Sequence, residues 1–359
     1  MKPIKMLPNR VWRIYLGGLL LDELRGDAGQ DGYFPEDWLA SVVEANNPPR
    51  DDTPQREGLS CVQTPDGVCY LKDLIDGDPE AYLGKTHISS HGAHFGVLTK
   101  FLDSAERLPI QVHPDKTAAK TLFHSEYGKT EAWYILGGRE IGGEAPYILL
   151  GFRQDVTKQQ LRELFDRQDI EGMASLMHKI PVKAGDVFLI EGGTPHAIGP
   201  GCFLLEIQEP TDYTISLEKC NTKGEKLPDF LCHMGLGFDR MFDCFHYVRH
   251  TLPELLAKFK LIPIEGERDD VHTVTQLISY ERTPMFSLRR IDVTGTYVRR
   301  NTGAPSAFVV TAGEGSIADI PVKKGECLFV PASAEDFEIS GELTILECLP
   351  PLSETEETV

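Results

Sequence analysis

The chain has 359 residues, enough at about 150 per domain for two domains with a substantial core. Its 36 Lys and Arg against 55 Asp and Glu give a net charge of −19, which disfavours nucleic acid and anionic membrane as partners but leaves room for a small anionic substrate in a locally positive pocket. A hydrophobic share of 41% with 25% charged residues excludes wholesale disorder.

At the N-terminus Lys2, Lys5, Arg10 and Arg13 precede an apolar run over 14–21, in the manner of a signal peptide. Asp22, Glu23 and Arg25 follow at once, without a small-residue cleavage site. No stretch approaches 18 apolar residues. The eight cysteines form no CxxC and suit reduced thiols, so the expected location is the cytoplasm. Pro35 followed by Glu36-Asp37 predicts a helix over 36–45. Short β-rich runs at 97–102, 108–113, 132–136, 147–150, 186–190 and 202–208 predict strands. A helical insertion interrupts them: Thr157 and Gln160 have the form of a capping box, Leu161, Leu164 and Phe165 follow at helical spacing, and a second short helix is expected over 173–178. A further helix is predicted over 252–259, with Pro253 in its first turn. Strands return at 274–280, 285–293, 307–311, 327–330 and 343–346, and the acidic run 354–357 reads as a solvated, disordered end. So many short strands with turn punctuation predict a mainly β protein of sandwich or barrel sheets.

An internal repeat divides the chain. Residues 181–193 read PVKAGDVFLIEGG and residues 321–333 read PVKKGECLFVPAS, which predicts two β-domains of one architecture. The expected boundaries are 1–255, with the helical insertion near 157–178, and 256–359. The first copy continues to His196, whereas the second has Asp336 at the matching place, so the metal chemistry is expected in the first domain alone.

Three segments of the first half carry metal-ligand residues. In the run from Ile110 to Pro114, Gln111 and His113 alternate with apolar residues and share one sheet face. Glu131 opens a strand with Lys129 two residues before it, and a glycine turn at 192–193 leads to His196. Two imidazoles, a carboxylate and an amide that converge would hold a divalent metal with a position open for substrate. Taken singly, each also reads as an ordinary surface or hydrogen-bonding residue, and spacing does not establish convergence.

The joint pattern, Gln111-Val112-His113-Pro114-Asp115, Gly128-Lys129-Thr130-Glu131-Ala132-Trp133-Tyr134, Gly193-Thr194-Pro195-His196-Ala197 and Glu206-Ile207-Gln208, resembles the short-form class I mannose-6-phosphate isomerases. The resemblance is strong over 95–215 and continues, weaker, through the second domain. It implies two cupin-like jelly rolls and one Zn2+ per chain on Gln111, His113, Glu131 and His196. It also implies interconversion of mannose 6-phosphate and fructose 6-phosphate through a cis-enediol, with Lys129 in substrate contact or proton transfer. A lysine beside a divalent cation is a reasonable base, because the cation disfavours its charged form.

Two departures bear on the substrate. Ser216 stands where the family has an arginine, and Pro109 where it often has a serine. Serine cannot replace the bidentate grip of arginine on an oxyanion, so position 216 marks the site as altered. Lys219, Lys85, Lys100 and Arg153 are cations that could compensate. The alternatives are an isomerase of another or an unphosphorylated sugar, a catalytically weak sugar-binding cupin, and a non-haem iron oxygenase. The oligomeric state is not written in the sequence.

Overall fold

The structure is a computed structural model that describes residues 1–353, so the acidic run 354–357 lies outside the described residues. Three large antiparallel sheets organise it. A seven-stranded sheet runs in the order Lys260–Leu261, Val187–Ile190, Glu131–Gly138, Cys202–Gln208, Leu98–Asp103, Glu36–Leu39 and Arg10–Val11. A five-stranded sheet runs Met177–Pro181, Tyr147–Phe152, His196–Ile198, Gln111–Val112 and Ile215–Ser216. Trp133, Ile135, Phe188 and Leu204 of the first share one buried cluster with Ile148, Leu150 and Ile198 of the second, so the two sheets close on each other.

The opposite face of the five-stranded sheet, with Val112, Leu149, Ala197 and Ile215, is covered by Leu161, Phe165 and Met173 of the helical insertion. The helix Lys158–Arg167 starts at the expected capping box, with Thr157 and Gln160 exchanging backbone bonds. The second helix is Ile170–Ser175, three residues earlier than expected, because the Asp169 side chain accepts the Gly172 N–H and starts it there. Met177 onward is drawn instead into a ladder with Tyr147–Phe152. The helix Leu252–Phe259 falls where its Pro253 and capping box put it.

The helix expected over 36–45 is not formed. Glu36–Leu39 is a strand, paired on one side with Arg10–Val11 and on the other with Leu98–Asp103. All four of its residues are buried, and the alternation sends Glu36 and Trp38 to one face and Asp37 to the other, where Arg25 meets it. Burial on both faces of a sheet overrode the helix-start signals of Pro35 and the acidic pair.

The third sheet has eight strands, among them Ser287–Arg299, Ser306–Ile317, Cys327–Val330 and Phe337–Leu349, wrapped around Ile291, Phe308, Leu328 and Ile345. The repeat is visible as matching turns. Gly185 and Gly325 sit at φ 90° and 86°, a left-handed conformation that favours glycine. Their N–H groups donate to Ile135 O and Val310 O, and those two residues donate back to the carbonyls of Asp186 and Glu326. The chain crosses the expected 255/256 division in two places: Lys260–Leu261 pairs with the first half, and Ile4–Lys5 pairs with Cys327–Val330 of the second.

Candidate metal centre

Five sequence-derived residues converge between the seven- and five-stranded sheets. His196 lies opposite Gln111 in the ladder, and the two side chains meet at 3.2 Å. His113 follows two residues after Gln111 on the same face, its ring centroid 4.8 Å from that of His196. Glu131 enters from the other sheet, with one oxygen 3.1 Å from His113 Nε2 and the other 3.3 Å from His196 Nε2. All three are at most 1% exposed, and their ligand atoms lie within 4.8 Å of one another. The glycine turn is required: Gly193 sits at φ 84°, and a Cβ there would stand 2.5 Å from the His246 ring.

The donor set fits a metal ion. His113 Nδ1 donates to Tyr213 O at 2.7 Å and His196 Nδ1 to Thr194 O at 2.9 Å, which leaves both Nε2 lone pairs aimed into the cluster. Burial, then the Lys129 ammonium, pushes His113 down to about 3 despite Glu131. Burial likewise lowers His196, so both imidazoles are neutral ligands at pH 7. Burial works against the Glu131 charge, but the Lys129 ammonium at 3.5 Å favours it, and the carboxyl is held well below the usual range. Glu131 Oε2 accepts no hydrogen bond, an orphaned acceptor at the centre of the cluster. Gln111 turns its amide nitrogen to His196, and a half-turn of the amide brings its oxygen to the same point. Lys129 places Nζ 3.1 Å from His113 Nε2 and 3.5 Å from Glu131. Among the described residues this is the one such group of three. Asp336, the counterpart of His196 in the repeat, is instead an exposed partner of Arg300.

A cleft of about 780 Å³, counted to its open mouth, lies beside the cluster and is lined by its neighbours Gln111 and Lys129. Ser216 and Pro109 both line it, with Ser216 paired to Gln111 in the ladder. The Ser216 hydroxyl is spent locally, donating to Glu218 O and accepting the Glu218 N–H.

Of the cations left unplaced, only Lys100 lines the cleft. Lys85 is exposed beside Glu80, Arg153 is exposed, and Lys219 lies over the Phe165 ring. Lys100 is 4% exposed by its side chain, between Glu206 at 3.2 Å and Glu36 at 3.5 Å. Burial opposes its charge, and the two carboxylates more than restore it. Glu206, buried and near the Glu131 charge, is pushed up to about 8.

Sequence reading missed Arg13, Tyr15, Glu36 and Asp212. Glu36 accepts from Tyr15, Trp38 and Arg13, while Arg13 grips Asp212 with both Nη atoms at 3.0 and 3.1 Å. No local motif could reveal these residues, because they come from three distant segments and their roles exist only in the folded contact.

Two closed sheets around a buried His–Glu–His cluster, with a second β-unit of matching turns, define a cupin-like protein with a centre suited to a metal ion. Residues 56–131 match the family described as phosphomannose isomerase type I, catalytic domain. The chain is 30% identical to the mannose-6-phosphate isomerase of Streptococcus mutans over 292 residues, covering 79% of this chain and 84% of that protein. It is 35% identical to a probable mannose-6-phosphate isomerase of Bacillus subtilis over 264 residues, covering 70% and 73%. The chain belongs to the mannose-6-phosphate isomerase family. Its fold matches the crystal structure of the Bacillus subtilis mannose 6-phosphate isomerase at TM-score 0.73 and 24% identity, over 97% of this chain and 99% of that one. It also matches a zinc-bound mannose 6-phosphate isomerase at TM-score 0.71 and 15% identity, over 98% and 100%.

Proposed function

We propose that this protein interconverts mannose 6-phosphate and fructose 6-phosphate, with one Zn2+ held by Gln111, His113, Glu131 and His196. The observation that carries the reading is the geometry around Glu131: two tautomer-locked imidazoles and an orphaned carboxylate oxygen, with a lysine ammonium within 3.5 Å, beside a cleft that Gln111 and Lys129 line. When bound, the metal supplies Lewis-acid polarisation of the sugar's oxygens at C1 and C2.

The chain's own groups supply the rest. Moving a proton between C1 and C2 through an enediol needs a base beside the reacting carbons. Lys129 is that group, because Glu131 has its lone pairs turned to the ligand cluster. Glu206, poised near neutrality on the same inner sheet face, is placed to hold a proton for the exchanging hydroxyl. Ser216 contributes wall and not proton transfer, since its hydroxyl is engaged in its own turn. Charge supports an anionic substrate. The cleft and cluster hold three cations, Arg13, Lys100 and Lys129, against three carboxylates, Glu36, Glu131 and Asp212, with Glu206 pushed toward its protonated form, so a divalent cation makes the site positive. The eight free cysteines suit a reducing compartment such as the cytoplasm.

Proton NMR of the zinc-loaded protein in heavy water, with mannose 6-phosphate and separately with mannose, tests the reading. Formation of the ketose with deuterium incorporated at the exchanging carbon, and preference for the phosphorylated sugar, is the expected result. Absence of exchange with either sugar, from protein shown to hold its metal, would defeat it.

A further inference from the structure

The cleft must hold the charged end of its substrate as well as the reacting carbons, and the structure separates its cations by availability. Lys129 stands on the ligand cluster, and Lys100 is held between two carboxylates; each side chain is only 4% exposed. Arg13 is different. Its side chain is 11% exposed, the most open of the three, and it lines the cleft together with its partners Glu36, Asp212 and Asn47 and with the uncharged Asn46, Thr214 and Ser216.

Its guanidinium is oriented from three directions. Nε donates to Glu36 at 3.0 Å, Nη1 to Asp212 at 3.0 Å and to Asn47 at 3.3 Å, and Nη2 to Asp212 at 3.1 Å. The Trp38 ring lies 5.0 Å from the guanidinium carbon. Four of the five N–H donors are thereby used, and one on Nη2 has no acceptor among the described residues. A rigid, permanently charged fork with a single donor left over is a preorganised oxyanion contact.

We propose that Arg13 is the residue that binds the phosphate of the sugar substrate, its remaining Nη2 N–H donating to a phosphate oxygen while Asp212 and Glu36 hold the fork in place. Arg13 thereby supplies, from the N-terminal segment, the guanidinium that Ser216 does not. This assignment rests on the sugar-phosphate isomerase reading of the cleft.

Arg13→Lys keeps the charge and removes the fork. In the zinc-loaded enzyme the KM for mannose 6-phosphate should rise about tenfold or more, with kcat little changed. The inhibition constant of inorganic phosphate should rise by a similar factor, while kinetics with unphosphorylated mannose and the metal content stay as in the parent. An equal loss with both sugars, or unchanged inhibition by phosphate, overturns the assignment. If the parent enzyme isomerises neither sugar, the isomerase reading fails by itself, and phosphate binding by calorimetry to parent and Arg13→Lys still decides the role of Arg13. Should the variant not fold, crystals of the parent soaked in tungstate decide it. An anomalous peak within hydrogen-bond reach of Arg13 Nη2 supports the assignment, and a peak elsewhere in the cleft, or none, overturns it.

Discussion

His113 and His196 each spend Nδ1 on a backbone carbonyl, so their ligand nitrogens are oriented before any metal arrives. His113→Ala and His196→Ala should each lose the bound metal, read as metal per chain by mass spectrometry, with the eight-stranded sheet still folded. Retention of full stoichiometry in both would refute the ligand assignment. Lys129→Met should keep the metal and lower kcat by about 10²- to 10⁴-fold, the range for removing a general acid–base group. Glu36 carries a different prediction. Burial raises its pKa, but Arg13 and Lys100 outweigh burial and hold the carboxyl far below the usual value. Asp212 is depressed in the same sense, with Arg13 again the main opponent of burial. For depressed carboxylates the contribution to stability is full above the unfolded-state pKa near 4 and is lost as pH falls below it, at about 1.4 kcal/mol per pH unit and group. Glu36→Gln should therefore lower stability at pH 7 by about 3 kcal/mol, because Arg13 and Lys100 lose a buried partner, and should flatten the fall below pH 4. Denaturant titrations across pH 2.5–7 check both.

At the scale of elements, legibility followed how local the cause was. The helix Lys158–Arg167 starts at the capping box read at Thr157 and Gln160, and Leu252–Phe259 falls on the residues expected from Pro253 in its first turn. The strand Cys202–Gln208 was readable because the apolar run over 202–205 follows the glycine turn at 199–201 and Pro210 closes the segment shortly after it. Glu36–Leu39 was not, since its helix-start signals are local and the strands that outbid them lie elsewhere in the chain. The same division applies to the site. Gln111, His113, Lys129, Glu131 and His196 come in short motifs with strand alternation, whereas the Arg13–Asp212 pair links residues 199 positions apart. The repeated glycine turn permits a paired test. Gly185→Ala meets only backbone strain at φ 90°, an effect of about 1 kcal/mol or more, because a Cβ there touches nothing within 4 Å. A Cβ at Gly325 would also press on Arg25 Cγ at 2.9 Å, so Gly325→Ala should lose more stability than Gly185→Ala. Equal losses by chemical denaturation would remove that contact from the account.

For the whole molecule, the two halves are joined by a shared core in which Phe101, Tyr134, Leu205 and Ile207 of the first meet Leu277, Phe286, Phe329 and Leu346 of the second. No described helix is long and apolar enough to cross a membrane. Removing residues 1–8 takes Ile4–Lys5 from the edge of the eight-stranded sheet, together with the Lys5–Glu326 pair at 2.7 Å. That deletion should lower the thermal midpoint seen by calorimetry while leaving metal content unchanged. The same pairing sets an order of events during synthesis. Ile4 pairs with Phe329, so this strand waits for a partner made some 325 residues later, an interval of roughly 20–60 s at ordinary elongation rates. All four proposed ligand positions have been made by residue 196, long before that partner exists. The strand Ile4–Lys5 is thus a clasp left open through most of that interval: the half that carries the cluster can close first, and the ladder to Cys327–Val330 then fastens the two halves.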